Sequence, residues 1–480
     1  MSSGLSILKT SAAILALVSR TFALDGQVQI HDPSTIVPCD GKFYTYGTGG
    51  TCLISDDGWT WYRGTPPARR GMAPDIIHLG ERYYMYVARN VGAQPRADIN
   101  MIWSKTLDTN SPDYKWEEGG VVASSDGIED CNAIDPGAFL DPNDGRLWLV
   151  YGSYFGYIRL VELDPRTGKR VNPNDQPVNV AINCEASDLI YHDGWYYLLA
   201  THGSCCRGAD SGYNIRVGRS KGLFGPYLDN MDVQMLQGGG KLFLGSGGRV
   251  IGPGHFGLLD LGGGVQKFSC HYEADLDRGG ASVLDIRPLL WKDGWPVAGE
   301  NLKEGTYEIE SARTGTALEL AVEGVPVGGR RVRRGGRGVD QSSAIPAQDV
   351  AQVSTNWPAD SVPIRLANYL CQAQQKWSVT AATNAGGYLG SPYFKICIAG
   401  TERVLAATDD GELVALPNLS GGPEQLWRID QLTDGTWRIL SKTGSKTAEP
   451  LTLSAIGSSS ATLARFNPDT DKQHWVFKTP

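Results

Sequence analysis

Between residues 25 and 300 one short pattern returns five times: an apolar strand, a tight turn, then a strand rich in aromatics. The turns and second strands are Cys39-Asp40-Gly41-Lys42-Phe43-Tyr44, His78-Leu79-Gly80-Glu81-Arg82-Tyr83-Tyr84, Asp144-Gly145-Arg146-Leu147-Trp148, His192-Asp193-Gly194-Trp195-Tyr196-Tyr197 and Gly262-Gly263-Gly264-Val265-Gln266-Lys267-Phe268. Asp-Gly between apolar runs signals a hairpin. Self-similarity at such a period means copies of one supersecondary unit. The turn glycines lie 39 to 70 residues apart, enough for a four-stranded sheet in each copy. Five such sheets predict a five-bladed β-propeller. The 60 Gly, 20 Tyr and 13 Trp agree with an all-β chain.

About nine residues before each turn glycine stand Asp32, Met72, Asp135, Glu185 and His255. Four of these five are ionisable. In a propeller the innermost strand of each blade starts near the axis, so equivalent positions converge on one pocket. Three carboxyls in one pocket repel each other, and at least one should hold a proton near neutrality. A protonated acid beside an ionised carboxylate suits glycoside hydrolysis, in which one protonates the leaving oxygen and the other activates water. His255, a single imidazole near them, is read as a ligand for water or a metal, or as a structural donor. The bland alternative is a set of unrelated strand-start residues, since Asp often precedes Pro in turns.

From about residue 302 a different repeat takes over. Gln375-Lys376-Trp377, Gln425-Leu426-Trp427 and Gln473-His474-Trp475 are spaced by 50 and 48 residues. Three repeats of that length imply a three-fold β architecture. The expected organisation is therefore an export signal over 1–24, a propeller over 25–301 and a β-trefoil over 302–480. Within the last region Gly328 to Gly338 carries five Arg and no acid. It is read as a solvated loop, with a polyanion such as acidic pectin as the alternative partner.

Residues 1–24 combine Lys9, an apolar run from Ser11 to Val18 and the close Thr21-Phe22-Ala23-Leu24, as a signal peptide does. No later stretch is apolar enough to span a bilayer, so no membrane anchor is expected. The predicted location is extracellular, or periplasmic in a bacterium. A net charge of -8 argues against nucleic acid as a partner, and a monomer is expected. Nine Cys leave at least one thiol unpaired. Adjacent Cys205 and Cys206 are expected not to pair with each other and to be buried for structure. No CxxC occurs, which disfavours structural zinc. Asn418-Leu419-Ser420 is a glycosylation sequon.

The first region resembles glycoside hydrolase family 43, in particular its arabinan endo-1,5-α-L-arabinosidases. The likeness rests on His31-Asp32-Pro33-Ser34, Ala73-Pro74-Asp75, Asn132-Ala133-Ile134-Asp135-Pro136, Tyr151-Gly152-Ser153 and Glu185-Ala186. Further matches are Cys205-Cys206-Arg207-Gly208, Val217-Gly218-Arg219-Ser220, Gly225-Pro226-Tyr227 and Gly252-Pro253-Gly254-His255. The resemblance implies that Asp32 is the general base, Glu185 the general acid, and Asp135 the group that tunes and holds Glu185. It implies inversion of anomeric configuration. Asn132, Ser153 and Tyr154 would line the sugar cleft, with a plain strand aromatic as the alternative for Tyr154. His255 would lie on the axis near an ion, typically calcium, often through water. No organic cofactor is implied. Asp75 aligns with Asp188, off the axial position, and reads as structural or sugar-binding. Met72 replaces the Trp usual before Ala-Pro-Asp, which removes an aromatic platform. Thr201-His202-Gly203-Ser204 also departs from the family pattern.

The Gln-x-Trp region resembles the ricin-type β-trefoil of carbohydrate-binding module family 13. There the tryptophans pack the core, and a purely structural trefoil is the alternative to a sugar-binding one. The resulting expectation is a hydrolase of α-1,5-linked arabinan or pectin side chains. The alternatives are an exo-acting α-L-arabinofuranosidase, β-xylosidase or β-galactosidase on the same scaffold, or a non-catalytic lectin.

Overall fold

In the computed structural model, residues 24–480 are described apart from 69, 93–94, 155, 323–356, 409 and 445–449. The expected export segment, up to its last residue, and the Arg-rich stretch lie outside the described residues. Among those described, no helix is long and apolar enough to cross a membrane.

The chain is nearly all β, and each of the five turns joins the first strand of a sheet to its second. Blade 1 pairs Val37–Cys39 with Lys42–Gly47 across Asp40-Gly41, then adds Thr51–Ser55 and Thr60–Arg63. Blades 2 to 5 open with Met72–Leu79, Gly137–Leu140, Glu185–His192 and Val250–Asp260, each the edge of a four-stranded sheet. The ring closes through the N-terminal segment. Asp25–Gly26 pairs with the outer strand of blade 1, while Ile30 N–H donates to Ser282 O and Leu284 N–H to Val28 O in blade 5. One stretch of chain thus ties the first blade to the last.

Apolar side chains fill the gaps between blades. Tyr84, Ile99 and Met101 of blade 2 pack with Leu147, Leu149 and Val161 of blade 3. Tyr197 and Leu199 of blade 4 pack with Phe256, Phe268 and Leu289 of blade 5. With both faces covered, the strands read as nearly continuous apolar runs, as in Leu147–Tyr151.

The second region is a closed three-fold barrel. Trp377, Trp427 and Trp475 are fully buried. Their indoles donate to Leu318 O, Leu405 O and Leu453 O at 2.8, 3.0 and 3.0 Å. Gln375, Gln425 and Gln473 each sit in a short 3-10 turn and donate to Asn368 O, Asn418 O and Arg465 O. A buried amide of this kind satisfies main-chain groups of the loop before it. The Gln-x-Trp unit is therefore core and scaffold in every lobe, as the sequence led us to expect.

Propeller and barrel meet through a polar seam. Trp291 N–H donates to Thr433 O, and Thr433 N–H to Gly264 O. Fully buried Lys267 donates to Leu389 O at 2.6 Å and faces Asp430 at 3.7 Å. Arg428 and Arg438 complete the shell of Asp430.

Candidate active site

A left-handed residue stands in, or a few residues before, each of the five inner strands. Asp32, Ala73, Asp135, Ala186 and His255 have φ of 51°, 44°, 54°, 48° and 61°. Non-glycine residues in this left-handed region are uncommon and cluster at functional sites. Register shifts accompany it between Met72 and Asp75, Glu185 and Asp188, and Gly254 and Gly257. A shift of this kind re-aims the side chains beside it. In blades 2 and 4 the left-handed residue is Ala73 or Ala186, one place after the positions picked from the sequence. Glu185 therefore stands one residue ahead of its blade's repeat.

Asp32, Asp135, Glu185 and His255 come together, and their neighbours set their charge. The His31 ring reaches Asp32 at 2.9 Å and Glu273 at 2.9 Å, and His255 Nδ1 lies 3.5 Å from Asp32. Thr48 donates its hydroxyl to Asp32, and Asp32 N–H donates to His271 Nδ1 at 3.2 Å. Burial would raise the Asp32 carboxyl. Hydrogen bonds and positive charge from His255 and His31 outweigh it and hold the group well below the usual carboxylate range.

Glu185 goes the other way. Burial raises it, Asp32 adds repulsion, and hydrogen bonds from Tyr213 and Ser153 only partly offset this. Ser153 donates to Oε2 at 2.7 Å and Tyr213 to Oε1. Asp135 is raised well above the usual range by burial, then by the charges of Glu185 and Asp32. It accepts the Ala186 N–H at 3.2 Å, one peptide from Glu185. The pocket thus holds one carboxyl tuned to stay ionised and two tuned to keep protons. That division of labour suits acid and base chemistry.

Asn132 is buried with its Oδ1 unpartnered among the described residues. Ser153 is committed to Glu185, and the Tyr154 hydroxyl donates to Thr201 O at 3.2 Å. Asp75 accepts from Thr35 N and Ala138 N at 3.0 and 2.8 Å, which links blades 1 and 3 through blade 2. Met72 is exposed at the start of its strand.

Three groups were invisible to the sequence reading: Glu273, His271 and Tyr213. The first two come from the second strand of blade 5, Gln266–Asp275, and Tyr213 from a loop, all out of phase with the repeat. His31 stands beside Asp32 in the sequence, and its ring bridges the Asp32 and Glu273 carboxylates.

The paired cysteines correct an expectation. Cys205 and Cys206 are joined to each other. The chain turns sharply at Cys206, whose φ is 61°, and the pair lies at the surface, with Cys206 exposed and Cys205 half-buried. The other seven cysteines are free thiols.

Calcium takes six to eight oxygen ligands. The ligand atoms close enough to share one ion around Asp32 are its own carboxylate and the rings of His31 and His271, with His255 3.5 Å from Asp32 and the Glu273 carboxylate already paired to His31. This nitrogen-rich set does not fit a directly coordinated calcium ion.

Residues 44–296 match the family model of glycosyl hydrolases family 43, and 373–467 that of the ricin-type β-trefoil lectin domain-like family. The chain is 31% identical to an extracellular exo-α-(1→5)-L-arabinofuranosidase of Cellvibrio japonicus, covering 60% of this chain and 91% of that protein. It is 30% identical to an extracellular endo-α-(1→5)-L-arabinanase of Bacillus subtilis, covering 56% and 87%. Among solved structures, an exo-1,5-α-L-arabinanase from a bovine ruminal metagenomic library superposes with a TM-score of 0.54 at 32% identity, over 58% of this chain and all of that one.

Proposed function

Because this chain belongs to glycosyl hydrolases family 43, we propose that it hydrolyses α-1,5-linked L-arabinan, with Asp32 as base and Glu185 as acid. The observation that carries this reading is the opposite tuning of those two carboxyls in one pocket. Ionised Asp32 takes a proton from a water as that water attacks the anomeric carbon. Glu185 gives its proton to the departing glycosidic oxygen, and the configuration inverts. Inverting pairs stand about 6.5–9.5 Å apart to admit the water.

Asp135 acts on Glu185 as a positioning residue and pKa modulator. Its bond to the Ala186 N–H fixes the peptide that carries the acid, and its carboxyl competes with Glu185 for negative charge. Asn132 has a free acceptor for a sugar hydroxyl. Ser153 and Tyr154 belong to the cleft wall that holds the acid in place. An ion at His255 would have to be held through water, and its removal by EDTA without effect on rate or Tm would eliminate it. The similar extracellular enzymes support secretion and a polysaccharide substrate.

Endo action is the main reading. The 30% identity to an endo-acting enzyme supports it, and the 31% identity to an exo-acting enzyme supports exo action as the second reading. A product profile on linear 1,5-α-arabinan, with xylan and galactan as controls, separates them. A ladder of short oligosaccharides supports endo action, and arabinose alone supports exo action. Release from a control glycan only would discard arabinan as substrate.

A further inference from the structure

Behind the propeller, where its last blade meets the barrel, lies a cleft of 260 Å³ that the hydrolytic reading does not use. Both domains build it. Leu290 and Gly299 come from the end of blade 5, and Tyr307, Gln431 and Trp437 from the barrel. The volume falls just under the range of about 300–1,000 Å³ usual for small-molecule sites. It suits one sugar ring rather than a chain.

The lining has the chemistry that a neutral sugar needs. Tyr307 and Trp437 are half-buried, and each meets Phe477 edge-on, with ring centroids 5.5 and 5.9 Å away. Aromatic faces fixed in this way offer apolar area to the C–H face of a sugar at small entropic cost. The Tyr307 hydroxyl is tied to Lys303 O at 2.9 Å, which holds that ring further. Gln431 donates its amide to Gly435 O, but its Oε1 is buried without a partner among the described residues. A buried acceptor left unpaired costs free energy unless something donates to it. That oxygen faces Gly299, where an added Cβ would come within 2.9 Å of it. A side chain at 299 would crowd this oxygen and Pro288. At the mouth Glu300 and Lys303 pair at 2.5 Å, exposed and mutually neutral. They supply an acceptor and a donor for hydroxyls without selecting a charged ligand.

We infer that this junction cleft is a second glycan site, holding one neutral sugar residue of the polysaccharide that the propeller cuts. The identity of that polymer rests on the reading of the propeller as an arabinan hydrolase. Being built from both domains, the site fixes a neighbouring stretch of polymer relative to the catalytic pocket, and it is separate from the three Gln-x-Trp cores.

The test is calorimetric titration of the full Glu185→Gln chain, in which hydrolysis is stopped, with 1,5-α-L-arabinotriose. The same titration is run with Trp437→Ala or Gln431→Met added. Gln431→Met removes only the unpartnered acceptor and one exchangeable amide bond, so the chain folds as its parent does. The expected result is a binding event that each added substitution weakens by about tenfold or more, beside an event that neither changes. Titration curves identical in all three chains overturn the cleft. Failure of the wild-type chain to release sugar from arabinan would instead sink the propeller reading, and is read from hydrolysis alone.

Discussion

Asp32 and Glu185 are both carboxyls, and only their neighbours make them different. Asp32 is faced by His31 and His255, Glu185 by a buried wall, a tyrosine hydroxyl and the charge of Asp32. Asp32→Asn and Glu185→Gln should therefore each lower kcat/KM on arabinan by about 10²–10⁴-fold. Steady-state kinetics that retain more than about a tenth of the rate would refute the assigned roles. The His31–Glu273 pair adds a stability signature. His31 is raised from 6.5 to about 10, because its two carboxylate partners outweigh burial, so its contribution is whole below pH 6.5 and fades as pH climbs to 10. Glu273 is lowered from 4.5 to about 2, against burial, by His271 and His31, so its contribution is whole above pH 4.5 and fades as pH falls toward 2. The excess Tm of wild type over Glu273→Gln should thus be greatest between pH 4.5 and 6.5. A difference that is flat from pH 3 to 10 would contradict the coupling.

At the scale of the strand, the repeat was legible because a turn needs Gly and a blade needs a strand on either side. The five hairpins fall where the five turns predicted them. The left-handed residue in or just before each inner strand was not legible, since Asp, Ala and His share no side-chain chemistry that would mark it. Nor could phase alone place Glu273, which comes from a second strand. The backbone device has its own test at Ala73, whose φ is 44° and whose side chain is buried. A β-branched residue is penalised in that region. Ala73→Val should lower stability by about 1–3 kcal/mol in denaturant unfolding, while Ala73→Gly should cost far less. Equal values for the two would show that φ is not the cause.

For the whole molecule, two repeat periods were enough to divide the chain into a propeller and a trefoil. The seam between them was not predictable, because Lys267 and Asp430 are far apart in sequence and look like ordinary surface charges there. Both are buried. Lys267 is lowered by burial to about 8, and Asp430, despite burial, is held at about 2 by Arg428, Lys267 and Arg438. Removing one member of a buried charge cluster costs about 3–5 kcal/mol, so Asp430→Ala should separate the unfolding of the two domains in calorimetry. A single unshifted transition would show that the seam carries no stability. The ring itself bears on the chemistry, since it brings Asp32 of blade 1 and Glu185 of blade 4, the proposed base and acid, into one pocket. The most direct test of that arrangement is proton NMR of the first reducing ends released from linear 1,5-α-L-arabinan, before they mutarotate. A single inversion yields β-configured arabinofuranose ends, and α-configured ends would contradict the assignment of Asp32 and Glu185 as base and acid.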